Sequence, residues 1–232
     1  MRATTPARRS HPVDAGVGGM PVEIAEPIRR FYSWSGKRNY DGRWWFSTSG
    51  SHVVFESLLE RDALLMADFT AEIVAVSAQP LAFLWPRGTA HAAHHVPDFF
   101  WRLSCGDGRV VDFKRADAVS RAHTQIGLTA AACAEIGWQY RVFTGIDAAV
   151  EGNVRWLSGF RHDRYRPARG LRTVIDEVFG SPAPLRDGAS RAATRCTLSV
   201  STMVGHVYHC LWMHHLHADL SVPLTMTTTV SR

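Results

Sequence analysis

Asp112 and Lys114 lie two residues apart in a run whose neighbouring positions, Val110, Val111 and Phe113, are apolar. On a strand that spacing sets both side chains on one face. Asp98 follows Pro97 at the head of the preceding apolar run, and Glu60 lies in a helical pattern further upstream. Three carboxylates and one ammonium gathered at one end of a small sheet are the inventory of metal-assisted phosphodiester hydrolysis. Mg²⁺ takes oxygen ligands from one or two carboxylates and shares the rest of its shell with water and phosphate. A lysine beside such a carboxylate can position the nucleophile or neutralise charge growing on the phosphate. An isolated Asp-x-Lys is more often a solvated surface pair, and Pro-Asp more often a turn signal. Order and context set this instance apart: helix carboxylate, strand, Pro-Asp opening a hairpin, Asp-x-Lys on its return, then a helix.

The elements that must position these groups follow from periodicity. Residues 55–69 carry apolar side chains at helical spacing, and 72–79 alternate and end before Pro80 as a strand should. Leu81 to Trp85 reads as a second short strand. Residues 96–103 and 109–114 read as a hairpin around Gly106-Asp107-Gly108. A simple turn over those three residues would set Asp98 against Ala116, about 13 Å of strand away from Asp112. A bulge or a longer loop is therefore expected, bringing Asp98 opposite Asp112. An Ala-rich helix over 119–136, a strand over 138–143 and a helix over 152–159 complete a mixed α/β order.

The runs ESLLERDALLMADFTAEIVAVSAQP, HHVPDFFWRL and GRVVDFK resemble the PD-(D/E)XK core of TnsA-type transposon endonucleases, the restriction-enzyme-like subunits of heteromeric transposases. The likeness continues through AACAEIGWQYRVFT and NVRWLSGFRH and so spans roughly residues 50–162. It implies a restriction-endonuclease-like α/β core, a mixed sheet flanked by helices, with a small mostly helical C-terminal unit of winged-helix-like character. It implies that Glu60, Asp98, Asp112 and Lys114 are catalytic. Asp98 and Asp112 would hold Mg²⁺ (or Mn²⁺), Glu60 would complete the metal shell, and Glu56 is the reserve for the helix carboxylate. The implied task is cleavage of the 5′ strand at transposon ends. The implied partners are double-stranded DNA, a DDE-type transposase of the TnsB kind and an AAA+ ATPase of the TnsC kind. Two other readings stand beside it: a stand-alone PD-(D/E)XK restriction or repair nuclease, and a non-catalytic DNA-binding assembly subunit with a nuclease fold.

Composition is compatible with this. The 232 residues are 46% hydrophobic and 20% charged, a globular profile with no apolar run long enough to span a membrane. The formal charge of +5 permits a polyanionic partner without requiring one. Only two of the 26 basic residues are lysines, Lys37 and Lys114, which draws attention to the second. Aromatics and cations interleave over 28–49, where Arg29, Arg30, Lys37, Arg38 and Arg43 are expected at DNA, joined by His95 beside the Pro-Asp. The bland alternative makes the tryptophans core. Four scattered cysteines without a CxxC suit a reducing compartment, and the N-terminus lacks the apolar stretch of a secretory signal. A bacterial cytoplasmic protein working at the nucleoid is expected.

The chain divides in this reading into a flexible arm (1–20), the endonuclease-like domain (21–162), a linker (163–195) with one short helix near 172–179, and the C-terminal unit (196–232). His206, Cys210 and His214 share one face of its predicted helix, a spacing that could hold zinc. The interleaved Val207, Leu211, Trp212 and Leu216 say instead that this helix packs on a core and its histidines form a polar rim.

Overall fold

A computed structural model describes residues 10–29, 40–85 and 93–232. In chain order the strands and helices are β1 (Gly42–Phe46), β2 (Ser51–Phe55), α1 (Leu58–Phe69), β3 (Ile73–Ala78), β4 (Phe83–Trp85), β5 (Ala93–His95), β6 (Phe99–Leu103) and β7 (Gly108–Phe113). There follow α2 (His123–Ile136), β8 (Gln139–Phe143), α3 (Ala148–Ser158), α4 (Arg169–Val178), β9 (Ala183–Pro184), α5 (Leu185–Cys196), α6 (Val200–Trp212), β10 (His217–Ala218) and β11 (Thr229–Ser231). No described helix is long and apolar enough to cross a membrane. The four cysteines are free thiols. Two compact units share the chain, one built from 1–32 and 74–143, the other from 33–73 and 144–232.

The first unit holds a four-stranded sheet in the order β3-β6-β7-β8. Strands β6 and β7 are antiparallel, while β7 and β8 are parallel and joined through α2. A parallel neighbour needs such a crossover, because a tight turn reverses the chain. The mixed α/β sheet flanked by helices is thus present. One face closes on Phe100, Val110, Ala132, Cys133, Ile136 and Trp138. Gly108 is required there, since a Cβ would come within 2.7 Å of the rings of Phe100 and Trp138. Of the arm expected to be flexible over 1–20, residues 1–9 lie outside the described residues and the rest is packed. Residues 10–20 lie on this unit: Val17 packs against the apolar face, and Gly18 accepts the Trp138 indole N–H at 3.0 Å. Arg102 adds bonds to the Met20 carbonyl and to Glu23. A buried indole N–H needs an acceptor, and this segment supplies it.

In the second unit β1 and β2 form an antiparallel hairpin, and α1 begins at Ser57, whose hydroxyl accepts from the Glu60 N–H. The stretch expected as a linker is instead structured as α4, β9 and most of α5. The predicted C-terminal helix is α6, preceded by Ser199, whose side chain accepts the Thr202 N–H as its cap. The order is helix, strand, helix, helix, then two strands, and the small sheet runs β10-β11-β9, all antiparallel. Its core is Ile175, Phe179, Leu185, Ala189, Met203, Val207, Leu211 and Val230. Low hydrophobicity hid this in the sequence: α5 buries only small residues such as Gly188, Ala189, Ala192 and Ala193 beside Leu185. Gly188 admits the Phe179 ring, which a Cβ would meet at 2.3 Å. Gly188→Ala is expected to lower stability by about 1–3 kcal/mol through overpacking, read as a fall in the urea midpoint at constant slope.

The C-terminal histidines expected as a polar rim divide: His206 and His214 are half-buried, whereas His209 is buried. His206 and His209 hydrogen-bond through Nδ1 to the carbonyls of Tyr165 and Phe160 at 2.7 and 2.8 Å, and His214 bonds the Phe69 carbonyl.

Asp68 is the buried acid of this unit. It accepts the Ser47 N–H and hydroxyl at 2.8 and 2.6 Å and the Trp44 indole N–H at 3.2 Å. Burial nevertheless raises its carboxyl above the ordinary range, against those bonds and the charge of Arg161. The folded state thus holds this proton more tightly than the unfolded chain, where Asp titrates near ~3.9. The stability contribution of Asp68 therefore falls as pH rises from that value to its raised folded value. Asp68→Asn is expected to flatten this part of a plot of urea midpoint against pH.

Candidate active site

The hairpin register decides the site. The pairs are Phe99 with Val111, Phe100 with Val110 and Trp101 with Arg109, so the next step outward sets Asp98 opposite Asp112. The expected approach occurs, but neither by a bulge within the strands nor by a longer loop. The turn sits two residues earlier, on Ser104-Cys105-Gly106, with Gly106 N–H donating to the Leu103 carbonyl and Leu103 N–H to that of Asp107. Gly106 has φ +96°, the left-handed conformation that closes a three-residue hairpin turn. Gly108, the alternative, is committed to the strand by its close packing.

Asp98 and Asp112 interlock through backbone as well as charge. Phe113 N–H donates to Asp98 Oδ2 at 2.8 Å, and Asp98 N–H points at Asp112 Oδ1 at 3.4 Å. Asp112 is 1% exposed, whereas Asp98 is half-buried. Burial raises the Asp98 carboxyl, the Phe113 N–H opposes this, and the Asp112 charge adds to it. For Asp112 burial also pushes upward, but His95, Tyr140 and Lys114 outweigh it and hold the carboxyl below its ordinary range. Lys114 favours the ionised form of both acids, so its ammonium belongs to the cluster. Its backbone N–H is anchored on the Phe143 carbonyl at 3.1 Å.

Three further residues surround Asp112. His95 Nε2 lies 2.7 Å from Asp112 Oδ2, and the Tyr140 hydroxyl donates to the same oxygen at 2.6 Å. The other ring nitrogen of His95, Nδ1, meets Gln125 Nε2 at 2.7 Å. With the Gln125 amide donating, His95 carries its proton on Nε2 and gives it to Asp112. This corrects the expectation that His95 contacts DNA: it is buried, with both nitrogens engaged inside the unit. Tyr140 and Gln125 were not anticipated. Tyr140 had a signal, because β8 pairs Val142 with Asp112 and period-two alternation then turns Tyr140 to the same face. Gln125 had none, since a helix position gives no hint of a histidine 30 residues earlier.

The remaining predicted residues are placed as follows. Glu60 lies in the second unit, in the first turn of α1, where its carboxylate accepts the Glu56 N–H at 2.8 Å and the Ser57 hydroxyl at 3.0 Å. With the reciprocal Ser57–Glu60 bond this closes the helix start in the manner of a capping box. Arg29 and Arg43 are exposed. Arg30, Lys37 and Arg38 fall outside the described residues.

Two carboxylates with their affinities for protons driven apart, and an ammonium beside them, suit a divalent cation. Neutralising the second charge would offset the cost that burial and Asp112 impose on ionised Asp98. Mg²⁺ commonly uses only one or two carboxylates. Among the described residues no group of three or more His, Cys, Asp or Glu side chains is arranged to hold a metal.

No family model matches the chain. A search of curated proteins likewise gives no match.

Proposed function

We propose that the chain is a metal-dependent DNA endonuclease subunit of a heteromeric transposase, cleaving the 5′ strand at transposon ends. The observation that carries this reading is the hairpin register, which sets Asp98 against Asp112 beside Lys114 at the end of a mixed sheet. In this reading Asp98 and Asp112 hold Mg²⁺ or Mn²⁺, which when bound supplies charge for the scissile phosphate and acidity for a water. Asp112 is kept ionised and aimed by His95 and Tyr140, and Lys114 neutralises charge accumulating on the phosphate. In this reading the small helix-strand-helix-helix-hairpin module at the C-terminus takes the part of the winged-helix-like unit. Its expected partners are double-stranded DNA, the DDE-type transposase and the AAA+ ATPase.

One observation favours a second reading. Glu60 is occupied at its own helix start, and the Asp112 carboxylate is fully surrounded, as in a nuclease fold retained for DNA binding and assembly. Nicking of a duplex carrying the transposon end separates the two. The full chain with both partner proteins is incubated with Mg²⁺ or Mn²⁺, with Ca²⁺ as a binding control, alongside Asp98→Ala. Metal-dependent 5′-strand nicks that disappear in the variant support the endonuclease. Identical products from wild type and variant mean that the cut is made elsewhere.

A further inference from the structure

The second unit contains a cavity of about 620 Å³, within the size range of small-molecule sites. Its wall includes Trp45, Ser47, Arg161, His162, Arg166 and His214, and the carboxylates facing it are Asp68 and Asp163. Arg161 is the fixed point. Its guanidinium lies over the Trp44 ring at 5.1 Å and donates from Nη1 to the Ser158 carbonyl. Asp68 Oδ1 takes both Ser47 bonds and Oδ2 the Trp44 bond, while Arg161 Nε stands 3.6 Å from Oδ2, an ion-pair distance, and is buried with no hydrogen-bond partner. A guanidinium held rigidly and short of acceptors is preorganised for an anion.

Arg166 contributes a second cation. It pairs with Asp163 at 2.7 Å, and both side chains are largely exposed. Such a pair is weak enough for an incoming phosphate to replace the carboxylate. Two imidazoles, His162 and His214, line the same space. Trp45, 38% exposed, brings an indole that meets the His52 ring edge-on at 5.0 Å. Cations beside an accessible aromatic ring suit a ligand that joins a phosphate to a planar base.

We propose that this cavity binds a nucleotide unit, with its phosphate at Arg161 and Arg166 and its base against Trp45. The site is built wholly from the second unit and does not depend on the Asp98–Asp112 pair. A free nucleotide and a segment of single-stranded DNA offer the same chemistry.

The full-length protein is titrated calorimetrically with adenosine 5′-monophosphate, inorganic phosphate and a 5′-phosphorylated tetrathymidylate. The monophosphate is expected to bind at least about tenfold more tightly than phosphate, since only it can stack. Trp45→Ala should erase that difference. Arg166→Ala, at an exposed position, should weaken all three at least about fivefold while leaving the melting temperature unchanged. Tighter binding of the tetranucleotide identifies a DNA strand as the source, and equal binding identifies a free nucleotide. No heat with either nucleotide at about 5 mM, or undiminished binding by both variants, overturns the proposal.

Discussion

Replacing Lys114 with alanine is expected to leave the protein folded and, in the proposed endonuclease, to slow strand cleavage by at least about 10²–10³-fold. The backbone bond from Lys114 N–H to the Phe143 carbonyl survives the change, so the parallel pairing of β7 and β8 is kept. The side chain is half-buried and fills no core space. What disappears is the cation that favours ionisation of both Asp98 and Asp112 and that would meet charge developing on the phosphate. Lys114→Arg keeps a charge but spreads it over a planar fork, and is not expected to restore the rate. Single-turnover nicking with the partner proteins reads the effect, and gel-shift affinity and melting temperature serve as controls. A variant that nicks at the wild-type rate removes Lys114 from the chemistry and leaves the endonuclease assignment without its motif lysine.

Asp112→Ala has a different signature, because it strikes the fold before it strikes the chemistry. Asp112 accepts from His95 Nε2 and the Tyr140 hydroxyl in a nearly dry site. Alanine leaves both donors without an acceptor, at a cost of about 2–5 kcal/mol in stability. Asp112→Asn keeps one carbonyl oxygen and is expected to lose roughly half as much. Chemical denaturation of the isolated protein measures both without any activity assay. Should Asp112→Ala lie within about 0.5 kcal/mol of wild type, the hydrogen-bond network around Asp112 carries little of the stability of this unit.

Much of the element order was legible because it rests on local periodicity. The alternating run before Pro80 and the amphipathic residues after Ser57 each form the expected element to within a few positions, as β3 and α1. The small C-terminal module was harder to see. Its helix α5 buries glycine and alanine, so composition suggested a linker where packing against Phe179 made a helix. The division into units was also out of reach. The chain leaves one unit after residue 32 and returns at 74, and no compositional break marks either crossing.

The sequence by itself determined the strand that carries Asp112, because its run of β-branched and aromatic residues is a local property; β7 ends at Phe113, so Lys114 follows the strand rather than lying in it. It also set Asp98 at the head of the partner strand, one residue before β6 begins at Phe99. Which residue of that strand faces Asp112 was decided only in three dimensions. Gly106 and Gly108 are equally able to turn a chain, and the choice fell to Gly106 because Gly108 must lie bare against Phe100 and Trp138. The same is true of the partners of Asp112. His95 reaches it from β5, Tyr140 from β8, and Gln125 holds His95 from α2. Those contacts join residues 17 to 30 positions apart, and only the packed sheet and its crossover helix bring them within hydrogen-bond range.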